Sequence, residues 1–141
     1  MGYNKQGLKY LLGKKTGTGK LPPFVPMTWE MLNSKAFKEL SYSASKALPY
    51  FLGKPKIKLT YSEYYESVFE FTYSEAKNLG FHTKTWKRCI TDLIDKGFID
   101  PVWKGGLRGD GKSASKFKMS SRWLDYGKPE FKVVRWEQFI R

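Results

Sequence analysis

The sequence predicts an α+β fold on three observations. Residues 74–100, "SEAKNLGFHTKTWKRCITDLIDKGFID", carry apolar side chains at the spacing of two helices separated by one glycine. The runs "VFEF" at 68–71, "FIDPVW" at 98–103 and "SKFKMS" at 115–120 are aromatic and β-branched and have the length of strands. A chain of 141 residues, 40% hydrophobic and 17% aromatic, is the size of one ordinary domain with enough apolar mass for one core.

Taken in order, residues 1–22 hold five lysines, five glycines and no acid, which reads as a flexible basic arm. Within it, "GKKTGTGK" resembles a phosphate-binding loop only superficially. Five residues separate Gly13 from the Gly19-Lys20 pair where the motif needs four, Leu21 stands where Ser or Thr is required, and no clear strand precedes it. The nucleotide-loop reading is therefore rejected. From Phe24 the apolar density rises. "MTWEMLNSKAFKEL" is expected to form one short helix and "SYSASKALPYFLGK" a longer one capped by Ser41 or Ser43, with Leu40, Ala44, Ala47, Leu48 and Phe51 as its buried stripe. Pro49 is expected to kink or end that helix, since it has no N–H to donate.

Residues 53–67 read as a polar connection with tyrosines, either a strand or a flexible loop. Thr72 and Glu75 form a capping-box pair for a helix over 73–79, and Gly80 supplies the left-handed residue that stops it. The next helix starts near 83 and ends before Gly97, and the last two strands are joined by the glycine-rich basic loop "KGGLRGDGKSA". The domain is expected over 23–122. The tail at 123–141, with Trp123, Tyr126, Phe131, Val133, Trp136 and Phe139, is too aromatic to stay in water and is expected to fold back or to make a homodimer contact.

The charge narrows the partners. Twenty-six Lys plus Arg against 13 Asp plus Glu give +13, and a polyanion would relieve the self-repulsion, nucleic acid first and an anionic membrane surface second. No stretch approaches a membrane span, and the N-terminus lacks the apolar run of a secretory signal. A single cysteine, Cys89, excludes an internal disulfide, and with a single histidine, His82, a structural metal is not expected. No cofactor is expected either, and a lone thiol fits a cytoplasmic protein.

The 83–95 helix has two unlike sides. On a helical wheel Cys89, Ile90, Leu93 and Ile94 fall within about 80° of Trp86, whereas Lys84, Arg88, Thr91 and Asp95 lie opposite. Ala76, small enough for a close helix crossing, precedes Leu79, Gly80, Phe81, Trp86 and Cys89 at the spacing of a helix-turn-helix. Over residues 41–120 the order of elements resembles the winged-helix branch of the helix-turn-helix superfamily, and "LSYSASKAL" with "FTYSEAKNLGFHTKTWKRCITDLIDKGFID" resembles the N-terminal domains of plasmid and phage replication initiators. Glu75 departs from the apolar residue usual at its position, which bears on how the two helices cross.

The resemblance implies binding of double-stranded DNA, with the 83–95 helix in the major groove and the loop on the backbone. The residues agree. Lys84, Lys87 and Arg88 suit phosphates or guanine edges, and Thr83, Thr85 and Thr91 suit phosphates or thymine methyls. Arg88 is the first choice for base readout, because its planar fork can make two hydrogen bonds to one guanine. Lys104, Arg108 and Lys112 flank the glycines of the loop. His82 is expected to cap or pack in the turn, and Cys89 to be an inert core group.

The function expected is sequence-specific duplex DNA binding in replication initiation or transcription control of a plasmid- or phage-like element, without catalysis. The alternatives are a winged helix that binds protein, and a small DNA-nicking enzyme using a tyrosine of "YSEYYES". The latter has no metal site or arginine-histidine cluster in view to steady a phosphate in transit.

Overall fold

The computed structural model describes residues 23–103 and 115–136. The expectations placed on the basic arm, on Lys104, Arg108 and Lys112, and on Phe139 therefore lie outside the described residues. Those described form an α+β domain: helices α1 (Trp29–Leu32), α2 (Lys35–Lys38), α3 (Tyr42–Leu52), α4 (Tyr73–Asn78) and α5 (Thr83–Asp95), and strands β1 (Phe69–Glu70), β2 (Ile99–Trp103) and β3 (Lys116–Met119). The strands make one antiparallel sheet in the order β1-β3-β2, with Phe69 opposite Phe117 and Ile99 opposite Met119. Pro101 occupies β2, which is an edge strand, where a missing N–H is tolerated.

Local signals place the helix ends. Ser41 Oγ accepts from the Ala44 amide and caps α3. Thr72 and Glu75 complete the capping box of α4, each side chain accepting the other's backbone N–H. Gly80 and Gly97, at φ 97° and 88°, close α4 and α5 with the same paired bonds: Gly80 N to Lys77 O with Phe81 N to Ala76 O, and Gly97 N to Ile94 O with Phe98 N to Leu93 O. This is the Schellman closure, which needs a left-handed residue at the glycine.

Four expectations need correction. The 27–40 segment is not one helix but two single turns, because Ser34 leaves the helix and uses its Oγ to accept from Phe37 N, starting α2. Leu40 precedes α3 and is only half-buried. Pro49 does not end α3, which runs three residues further. Burial of Phe51 and Leu52, worth about 1.5–3 kcal/mol each, offsets the roughly 3 kcal/mol cost of an interior proline. Residues 53–67 are neither strand nor loose loop: a 3-10 turn at Ser62–Tyr65 buries Tyr64, whose hydroxyl donates to the Leu52 carbonyl over 2.7 Å.

The core is aromatic. Trp86 of α5 stacks on Phe51 of α3 with ring centres 5.4 Å apart and planes 9° from parallel, and Phe71 and Phe81 tilt against the same indole at 4.7 and 5.0 Å. Phe117 of β3 meets Phe51 edge-on and carries Trp136 on its other side, so helices, sheet and tail share one contiguous cluster. The tail thus packs on the domain as far as Trp136. Trp123 stacks on Phe98, and its backbone passes so close to Gly97 that a Cβ there would stand 2.6 Å from Trp123 N. Arg122 fastens the crossing: its guanidinium pairs with Asp100 at 2.7 Å and donates to the carbonyls of Ile94, Ile99 and Lys132.

Among the described residues the buried Trp86 Nε1 has no hydrogen-bond acceptor, so the indole contributes through area and stacking. We predict that Trp86→Ala costs about 3–5 kcal/mol in urea unfolding through the cavity it leaves. Trp86→Phe, losing no hydrogen bond, should cost about 1.5 kcal/mol or less. Equal losses for the two variants would mean that the indole nitrogen matters after all.

Candidate functional site

The candidate site is the outer face of α5, and the inner face explains its position. Trp86, Cys89, Ile90, Leu93 and Ile94 are all buried, as their wheel positions predict, which forces Lys84, Lys87 and Arg88 into solvent. Thr83 is also exposed, and Thr85 and Thr91 are half-buried. Thr91 Oγ1 donates to the Lys87 carbonyl one turn back, leaving its methyl and a lone pair for other contacts. The structure therefore brings together the six expected helical positions on one side of one element.

The electrostatics of this face come from where the acids are. Residues 76–91 contain three lysines, one arginine and no carboxylate. Among the described residues, Lys84, Lys87 and Arg88 make no ion pair. The first acid downstream, Asp92, is committed elsewhere: Oδ2 accepts the Ser41 amide at 2.8 Å, and Oδ1 pairs with Lys96 at 2.7 Å. Arg88 stands beside a shallow groove of about 530 Å³ that α5 shares with the start of α3, lined by Glu39, Leu40, Ser41, Ser43, Thr85, Arg88 and Asp92. Glu39 on its far wall accepts the Tyr126 hydroxyl at 2.9 Å.

His82 does not cap α5. It holds the N-cap position by its backbone only, its side chain is exposed, and no side chain caps the helix. Its φ and ψ of −73° and 152° are extended, which the turn requires of any residue there, and the imidazole is not used. Cys89 is buried, and burial followed by the Asp92 carboxylate pushes its thiol up to about 11, so it is an inert core group at neutral pH.

Glu75 has a polar role at its position in α4. It is exposed rather than apolar because its carboxylate serves as a polar clasp, bonding the Thr72 amide and pairing with the Lys54 ammonium just past the end of α3. Lys54 also lies over the Phe71 ring, 4.4 Å from its centre. The sequence shows the capping box but not Lys54, which is 21 residues away.

Sequence reasoning also passes over Lys46. Its Nζ lies 5.0 Å from the centre of the Phe81 ring and 3.9 Å from where a Cβ on Gly80 would stand. Periodicity marks Lys46 as exposed on α3, but nothing local says which element it reaches. Among the described residues no group of three or more His, Cys, Asp or Glu could hold a metal, and no helix is long and apolar enough to cross a membrane. No protein-family model, curated protein or solved structure matches the chain.

The clasp at Glu75 has a pH signature. Burial alone would raise its pKa, but the bonds from Lys54 and Thr72 outweigh this and hold it below the usual carboxylate range. A depressed folded-state pKa stabilises above the unfolded value of about 4.3 and ceases to do so as pH falls through the folded value. The melting-temperature gap between the protein and its Glu75→Gln variant should be full at pH 6–7 and should narrow below about pH 4.3. A gap independent of pH from 3 to 7 would show that the carboxylate charge contributes nothing.

Proposed function

We propose that the protein is a winged-helix protein that binds double-stranded DNA without catalysis, serving replication initiation or transcription control of a plasmid- or phage-like element. In this reading α3, α4 and α5 are the three helices, Gly80 makes the turn and β1, β2 and β3 are the sheet, while the wing expected at 104–114 lies outside the described residues. One observation carries the proposal. The exposed side of α5 is cationic with no ion-pair partners among the described residues, while its other side is clamped in the core by Trp86.

A helix of about 10–12 Å diameter fits a major groove about 12 Å wide. Unpaired lysines and an arginine supply what phosphates and guanine edges need, and they do so without an internal salt bridge to break first. The acids that α5 does carry begin at Asp92, so its first two turns are the part suited to an anionic partner. Arg88 is the base reader and Lys84 and Lys87 are phosphate contacts; Lys104, Arg108 and Lys112, expected as further contacts, lie outside the described residues.

The protein-binding alternative draws on Trp29 and Phe24, 80% and 72% exposed at the start of the described chain. The nicking alternative draws less. Tyr64 spends its hydroxyl on the Leu52 carbonyl, and burial pushes the phenols of Tyr64 and Tyr65 up, away from the ionised form a nucleophile needs.

Duplex binding should be steep in salt. With about five to eight phosphates neutralised by α5, the loop and the arm, the slope of log K against log salt should be about −4 to −7, and a slope near zero would sink the proposal. Removing residues 1–22 should flatten the slope and leave the melting temperature nearly unchanged. Arg88→Ala should leave the fold intact and remove about 1–3 kcal/mol of preference for a selected site over a scrambled duplex. If that variant changes neither stability nor binding, α5 is an ordinary solvated helix.

A further inference from the structure

We infer that the DNA-contacting surface extends from α5 onto α3, where Lys46 is a phosphate contact on the strand that passes over the Gly80 turn. The inference rests on the duplex-binding reading above and identifies a residue of that surface which lies outside the helix-turn-helix segment itself.

Lys46 is exposed and makes no ion pair among the described residues. Its ammonium does not trail into solvent but lies over the Phe81 ring at 5.0 Å, which holds the charge beside the turn joining α4 to α5. Lys77 in the last turn of α4 and Lys84 in the first turn of α5 are exposed on either side of that turn, so three helices each bring one lysine to it. No carboxylate occurs from 76 to 91 to neutralise them.

The ground between these charges is open. Gly80 has no side chain, and among the described residues a Cβ built there would meet nothing within 4 Å except Lys46 Nζ itself. A bulky anion such as a phosphodiester can therefore approach the backbone of the turn with an ammonium already beside it. Phe81 also meets Trp86, and Tyr50 edge-on at 6.5 Å, so Lys46 is not the ring's one neighbour. A contact of this kind positions the duplex and carries no sequence information.

The test is fluorescence anisotropy of labelled duplexes with the full chain, over a series of salt concentrations. Three variants are compared with the parent: Lys46→Gln, Lys46→Arg, and Lys128→Gln as a loss of one charge in the tail. Lys46→Gln should reduce the magnitude of the log-log slope by about 0.9 and weaken binding roughly five- to tenfold near 0.1 M salt, equally for a selected site and a scrambled one. Lys46→Arg should restore both, and the circular dichroism spectrum should be unchanged throughout.

The inference is overturned if Lys46→Gln keeps the parent slope while Lys84→Gln and Arg88→Ala reduce it, a result that leaves the α5 reading intact. It is equally overturned if Lys128→Gln has the same effect, because net charge then suffices, or if the loss is confined to the selected site, because Lys46 then reads bases. A parent slope near zero removes the duplex reading and this inference together.

Discussion

The stack of Phe51 on Trp86 is the contact on which the rest of the molecule depends. It joins the last turn of the first long helix to the first turn of the last one, and Phe71, Phe81 and Phe117 are arranged around it. Because the two rings are parallel within 9°, the rotation of α5 about its own axis is fixed as well as its distance from α3. That rotation decides which residues face outward. A turn of 100° would carry Lys87 toward the core and Cys89 toward solvent, so the cationic surface is a consequence of aromatic packing.

Four acids of the described chain complement this by working within the fold. Glu75 clasps α4 to Lys54, Asp92 caps the start of α3, Asp100 holds Arg122, and Glu39 receives Tyr126. Each is taken up at a junction between elements, where a fixed charge helps to define geometry. The lysines of α5 have no such duty. With a net charge of +13, an excess of cations must remain unpaired, and the positions of the acids determine that α5 is one place where it does.

Much of this was legible from the chain alone, where the signal is local. The capping box at Thr72 and Glu75, the stop glycines at 80 and 97, and the two faces of α5 are written within a few residues of where they act. Features that depend on distant partners were not legible. Ser34 looks like a helix interior until it takes Phe37 N and begins a second turn, and Pro49 looks like a terminator until burial of Phe51 and Leu52 outweighs it. Tyr64 needs the Leu52 carbonyl, 12 residues away, before the 53–67 connection acquires a shape. Lys46 is the same case within the candidate site: its exposure follows from periodicity, but its place over Phe81 follows only from how α3 lies against the turn.

The crossing of the tail over Gly97 bears on the order in which the protein can be completed on the ribosome. Arg122 and Trp123 seal the end of α5, Trp136 covers Phe117, and Tyr126 reaches back 87 residues to Glu39. All of these are synthesised after the three helices and the sheet. A nascent chain that has exposed α3, α4 and α5 therefore still lacks a wall of its core, and its apolar faces wait on residues 122–136 to emerge. Docking of residues 122–136 is a late, long-range event in the folding of the domain.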